Sequence, residues 1–142
     1  MKFIRNLLRR RETKKETKEL PEEKVGVTDL EKLCLDSPDV FRALKNTMFL
    51  DPRKIDVSLE EALSNAKELE KAKDTVRAAV WYKIAGGLAI YSGDVSKVKE
   101  YFGKYAKLTG KKLKILEVTE EAVKKAQEYY QKYLKEKEEL TV

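Results

Sequence analysis

The side chains available for chemistry in this 142-residue chain are carboxylates, lysines, arginines and tyrosines, because histidine is absent and cysteine occurs once. Without imidazole there is no His-dependent triad, and the commonest general base at neutral pH and most zinc and iron ligand sets are gone. A carboxylate metal site in a helical bundle would use Glu-x-x-His, so neither metal nor cofactor is expected. Cys34 lies within Leu-Cys-Leu. It has no second cysteine for a disulfide or a CxxC pair, and no imidazole to activate it, so it reads as a small buried hydrophobe. Asp29, Glu31, Asp36, Asp39, Asp51, Glu60 and Glu61 match no catalytic motif. Glu60 and Glu61 are better explained by helix capping, and the chain reads as a non-enzyme.

The stretch YKIAGGLAIYSGDVSKVKEYFGKYAKL, residues 82–108, carries the glycines that could hold a phosphate. A phosphate loop needs clustered glycines followed by Lys and Ser/Thr, so that backbone N–H groups and an ammonium converge on the anion. Here Gly86-Gly87 is followed by Leu-Ala-Ile-Tyr, and Gly103-Lys104 and Gly110-Lys111 by Tyr and Lys. Trp81, Ala85, Leu88 and Ser92 keep helical spacing straight through the pair, with Ile84 and Tyr91 beside them. Two mid-helix glycines cost roughly 1 kcal/mol each relative to Ala. The return expected is close packing: one of the two faces a neighbouring helix and the other points outward.

The cations are unevenly placed. Residues 1–18 hold Lys or Arg at 2, 5, 9, 10, 11, 14, 15 and 18 against Glu12 and Glu16; that makes +6, the whole formal charge, so the rest sums to zero. Phe3, Ile4, Leu7 and Leu8 fall at helical spacing beside Arg5, and Arg9, Arg10, Arg11, Lys14 and Lys15 follow. Residues 1–24 offer too little apolar surface to offset their ordering entropy and read as a flexible basic arm. As a linear motif, its apolar edge would dock in the groove of a protein partner, the preferred reading. As a tether, its cations would release counterions from nucleic acid. As an interfacial helix, it would touch an anionic membrane peripherally. A plain solubilising tail is the remaining reading.

A second set of candidates comes from an internal echo. KVKEYFGKYAK (97–107) and KAQEYYQKYLK (125–135) repeat Lys, Glu, Tyr, Lys, Tyr and Lys at matching places. Val98, Phe102 and Tyr105, and likewise Ala126, Tyr130 and Tyr133, share a face and read as core. Tyr101 with Lys104 and Tyr129 with Lys132 sit to the side. They are candidate surface contacts that would stack on bases or anchor a peptide, unless they border the core with hydroxyls in water.

These residues need a scaffold, and the pattern that supplies it is helical. Thr28 is placed to cap the first helix. Ser37 precedes Pro38, which suits a first helical position, and Ser58 with Glu61 forms a capping box. Helices are expected from about Asp74 to Ser92, from Val95 to about Leu108, and from Thr119, where Glu120 and Glu121 complement the dipole. Residues 111–118 fit either a short strand or a connector. The expectation is an all-α, compact bundle of five or six helices in one domain over 25–142.

Residues 82–108 also resemble one tetratricopeptide motif. Tyr82 stands at the leading aromatic position, Gly86 at the small close-packing position and Gly93-Asp94 at the turn. Val98, Tyr101, Phe102 and Leu108 match the second helix, while Ala85, Tyr105 and Gly110 depart from the usual residues. The resemblance implies a helix–turn–helix hairpin. The echo recurs after 28 residues rather than the motif's roughly 34, which leaves no room for a solenoid.

Charged residues make up 39% of the chain, well above the roughly 25% of ordinary domains. The excess is Lys and Glu, the bias of hyperthermophile proteins, so a thermophilic source is expected. No apolar run approaches the ~20 residues that span a bilayer, and no signal peptide is recognisable at the N-terminus. A cytoplasmic accessory subunit or adaptor acting by protein–protein interaction is the preferred reading, and a nucleic-acid-associated accessory protein is the alternative.

Overall fold

The computed structural model of the protein describes residues 29–134, and every described element is helical or connecting. The arm residues from Phe3 to Lys15 and the Thr28 cap lie outside the described residues. A helical turn over 29–33 leads into α1 (Pro38–Lys45), and a 3₁₀ turn (Pro52–Lys54) precedes α2 (Leu59–Lys71). Then come α3 (Thr75–Ser92) and α4 (Val95–Thr109), a second 3₁₀ turn (Lys114–Leu116), and α5 (Thr119–Tyr129), which ends in a π-helical turn (Tyr130–Leu134). The bundle is all-α.

Local chemistry sets these boundaries. Ser58 accepts from the Glu61 N–H at 3.1 Å, which is half of the expected capping box. Pro38 opens α1, although the Ser37 side chain makes no cap bond. Asp74 and Asp94 cap α3 and α4 by accepting from the N–H groups of Arg77 and Lys97. Before each of these caps the chain passes through one left-handed residue, Lys73 (φ 64°) and Gly93 (φ 77°) respectively. The two hairpin turns therefore share one design. Thr119 does not cap α5; its hydroxyl donates to the Ile115 carbonyl at 2.7 Å.

α3 is apolar nearly all round, and a helix of that kind belongs in the middle. It packs on α2, α4 and α5. Its two glycines are both buried, which corrects the expectation that one points outward. A Cβ on Gly86 would stand 2.5 Å from the Phe102 ring, and one on Gly87 2.5 Å from the Phe49 ring. The double glycine seats two aromatic rings, one from α4 and one from the segment after α1. α5 closes the bundle: Gln127 Nε2 donates to the carbonyls of Ile90 and Tyr91 at 2.7 and 3.0 Å, satisfying the open end of α3. Tyr130 donates its hydroxyl to the Phe49 carbonyl at 2.7 Å. The Lys125 ammonium meets the Leu33 carbonyl, Asp36 and Glu128, holding the leading turn against α5.

Candidate functional site

Gly110 ends α4 with φ 73°, a left-handed conformation that glycine adopts without strain. The chain turns there, and of the two alternatives for residues 111–118 the connector is the one that forms. Residues 111–113 lead into the 3₁₀ turn, whose Ile115 is fully buried. That turn packs on α1, α4 and α5. Ile115 thus pins the connector across the bundle and leaves Lys111, Lys112 and Lys114 beside the ends of α1 and α4.

Two cavities of about 340 and 350 Å³ adjoin under this connector and share Asn46, Thr47, Lys112 and Leu113. The first is completed by Lys83 from α3, Phe102 and Tyr105 from α4, and Lys111. The second is completed by Arg42, Ala43 and Lys45 from α1 and by Lys114. Phe102 is fully buried and forms the floor, resting on Gly86. Tyr105 lies one turn further along α4, half-buried, with the Lys83 ammonium 5.9 Å from its ring centroid. Tyr105 was expected in the core; instead its ring lines the trough.

The electrostatics are one-sided. Asp39 stands 3.7 Å from both Arg42 and Lys114, and Glu117 is 3.4 Å from Lys114. Among the described residues, no carboxylate makes an ion pair with Lys45, Lys83, Lys111 or Lys112. Four ammonium groups that pair with no described carboxylate, beside Arg42 and Lys114 paired with Asp39 and Glu117, leave this face locally positive. The Asn46 amide adds a neutral donor and acceptor at the shared wall, tied only at 3.5 Å to the Arg42 carbonyl. The lining offers charge and hydrogen bonds.

The tyrosines of the pairs read from the echo do not lie on the surface. Tyr101 and Tyr129 are each 5% exposed. Burial raises the pKa of both phenols, and no buried side-chain polar atom among the described residues lacks a partner. Lys104 is bound 3.6 Å from Glu70 and stands 5.9 Å over the Tyr82 ring. Tyr82 in turn donates to Glu70 at 2.7 Å. That bond, with Lys104 nearby, holds the Glu70 carboxyl below its ordinary range, while burial and then Glu70 push the Tyr82 phenol up to about 12. Lys132 is exposed, 5.4 Å over the Tyr133 ring.

The groove itself was not read from the sequence. Its cations come from three separated stretches of a body whose charges sum to zero beyond residue 18. The one local signal was the run Gly-Lys-Lys-Leu-Lys at 110–114. Comparison with protein-family models, with curated proteins and with solved structures finds no match for the chain.

Proposed function

We propose that the protein is a non-enzymatic accessory protein that binds nucleic acid along the basic groove. The observation that supports this reading is the gathering of Lys45, Lys83, Lys111 and Lys112 on one trough without carboxylate partners among the described residues. Uncompensated cations repel one another, and a phosphate backbone relieves that cost while releasing its own counterions. The arm's Arg9, Arg10, Arg11, Lys14 and Lys15 add positive charge to the same chain. Titrating a short labelled oligonucleotide into the full chain at several salt concentrations tests it. Affinity should fall linearly on a log–log plot, and Lys83→Glu with Lys112→Glu should weaken binding with the arm intact. Salt-independent binding, or binding indifferent to both reversals, counts against the reading.

A protein adaptor carrying a tetratricopeptide-like hairpin is the second reading. It is favoured by Val76 and Val80, four residues apart on α3 and 76% and 53% exposed. Helix faces of this kind present anchors at such spacing. If this reading holds, Val76→Ser with Val80→Ser should abolish co-purification of a protein partner without lowering thermal stability.

A further inference from the structure

We infer that the groove takes a single strand, with one unstacked base seated against Tyr105 and its flanking phosphate in the neighbouring compartment. The inference rests on the nucleic-acid reading above and concerns which nucleic acid that is.

The two compartments differ in kind. The first has an aromatic wall, Tyr105, with Lys83 over its ring, while Phe102 behind it is fully buried. The second has no aromatic lining and presents Lys45 and Lys112, with Arg42 and Lys114 beside them paired with Asp39 and Glu117. A nucleotide within a strand has the same division: a flat base with a π-face, and a charged phosphate one bond-chain away. Tyrosine stacks on any base, and the charges track the backbone. About 340 Å³ is within the range of pockets that enclose one small ligand. Asn46, on the wall common to both compartments, can pair with a base edge through its amide.

A duplex does not fit this arrangement. Its bases are stacked inside, and reading them takes an element that projects into a groove. Tyr105 is recessed and half-buried, and its seat lies in a concavity, so only a base already free of its stack reaches the ring. A lone nucleotide would reach it too, but it would forgo the further phosphate contacts that the remaining lysines offer.

The test uses the full chain and four probes: labelled single-stranded RNA, single-stranded DNA of the same sequence, the matching DNA duplex, and free adenosine monophosphate. Both strands should bind at least about tenfold more tightly than the duplex or the mononucleotide. Tyr105→Leu should cost about tenfold for the strands and little for the duplex, and Tyr105→Trp should restore the loss. Photocrosslinking of a thiouridine-bearing strand to the unaltered protein should label Tyr105 or a residue lining its compartment, which reads the seat even if Tyr105→Leu fails to fold. Equal affinity for duplex, equal affinity for the mononucleotide, or crosslinks confined to residues outside the trough would each overturn the single-strand inference. The parent reading fails differently: no probe binds in a salt-dependent way, or reversal at Lys83 and Lys112 changes nothing.

Discussion

Lys104 and Lys112 are the same residue type, eight positions apart, and the molecule uses them in opposite ways. On the hairpin face, the Lys104 ammonium is committed to Glu70 and the Tyr82 ring, as Lys125 is to Asp36, Glu128 and a carbonyl. On the groove face, Lys112 and its neighbours Lys45, Lys83 and Lys111 have no carboxylate partner among the described residues. One face spends its charges on holding the bundle together. The other keeps them available at a cost in repulsion, which makes sense where a ligand supplies the missing negative charge.

The boundary between the faces is the Phe102 ring: it closes the core on one side and floors the groove on the other. Breaking its seat should have the largest effect. Gly86→Leu would drive a side chain into that ring, and overpacking of this kind costs about 3 kcal/mol at the upper end of its usual range. A urea unfolding curve for the variant measures the loss. Even Gly86→Ala should destabilise, because its Cβ already stands 2.5 Å from the ring. If Leu is tolerated there, hairpin and groove do not share a wall.

Next in size is the groove's charge. Lys83→Glu with Lys112→Glu should lower oligonucleotide affinity at least about tenfold and reduce the salt slope by about 2. The same variant should melt close to the parent, because neither lysine pairs with a described carboxylate and Lys83 gives up only its contact over the Tyr105 ring. Binding loss together with a lower Tm would erase the distinction between the two faces.

The division was only partly legible in the sequence, for physical reasons. The caps at Ser58, the Pro38 start and the glycine-bearing helix are local, and local signals survive into the fold. Tyr101 and Tyr129 were misplaced because a single apolar stripe was assumed. α4 instead packs on α3, α5 and the second 3₁₀ turn, and α5 packs on α1, α3 and α4, so the buried arc of each helix is wider than one stripe. The groove was invisible because Arg42, Lys83 and Lys112 meet only through the tertiary path of the connector, which Gly110 turns and Ile115 pins. Which lysines had partners was a long-range fact.

A smaller effect follows from the chain's titration. With no histidine, no side chain of ordinary pKa changes charge near neutrality, so stability should be flat there. On the alkaline side the sign is negative. The unfolded Tyr82 phenol ionises near 10, whereas in the native chain it is held to about 12, so the native state binds more protons across that window. Stability should therefore fall as pH rises through it. Burial of Tyr101, Tyr129 and Tyr130 acts in the same direction. Tyr82→Phe should cost about 1 kcal/mol at neutral pH through the lost bond to Glu70 and should flatten the alkaline slope. Urea midpoints measured across that range check both effects.

The smallest effect tests the comparison most directly. Lys104→Ala removes an ammonium that is 44% exposed at the side-chain level, from a Glu70 side chain that is 33% exposed. Water and salt screen such a pair, so its worth is about 0.5 kcal/mol, with a further fraction from the Tyr82 ring. The loss should shrink in high salt. Lys112→Ala loses no ion pair with a described carboxylate and relieves repulsion from Lys111 and Lys83 across the trough, so its stability should stay level or rise slightly, most visibly at low salt. The two substitutions remove the same atoms, and the same desolvation and helix-propensity corrections apply only in part, since Lys104 lies on α4 and Lys112 in the connector. Adding Glu70→Gln to Lys104→Ala cancels that difference: the second loss should be smaller in the Lys104→Ala background than in the parent, whereas Lys112→Ala and Glu70→Gln should simply add. Equal coupling of both lysines to Glu70 would mean that the groove's charges are not set apart from the hairpin's.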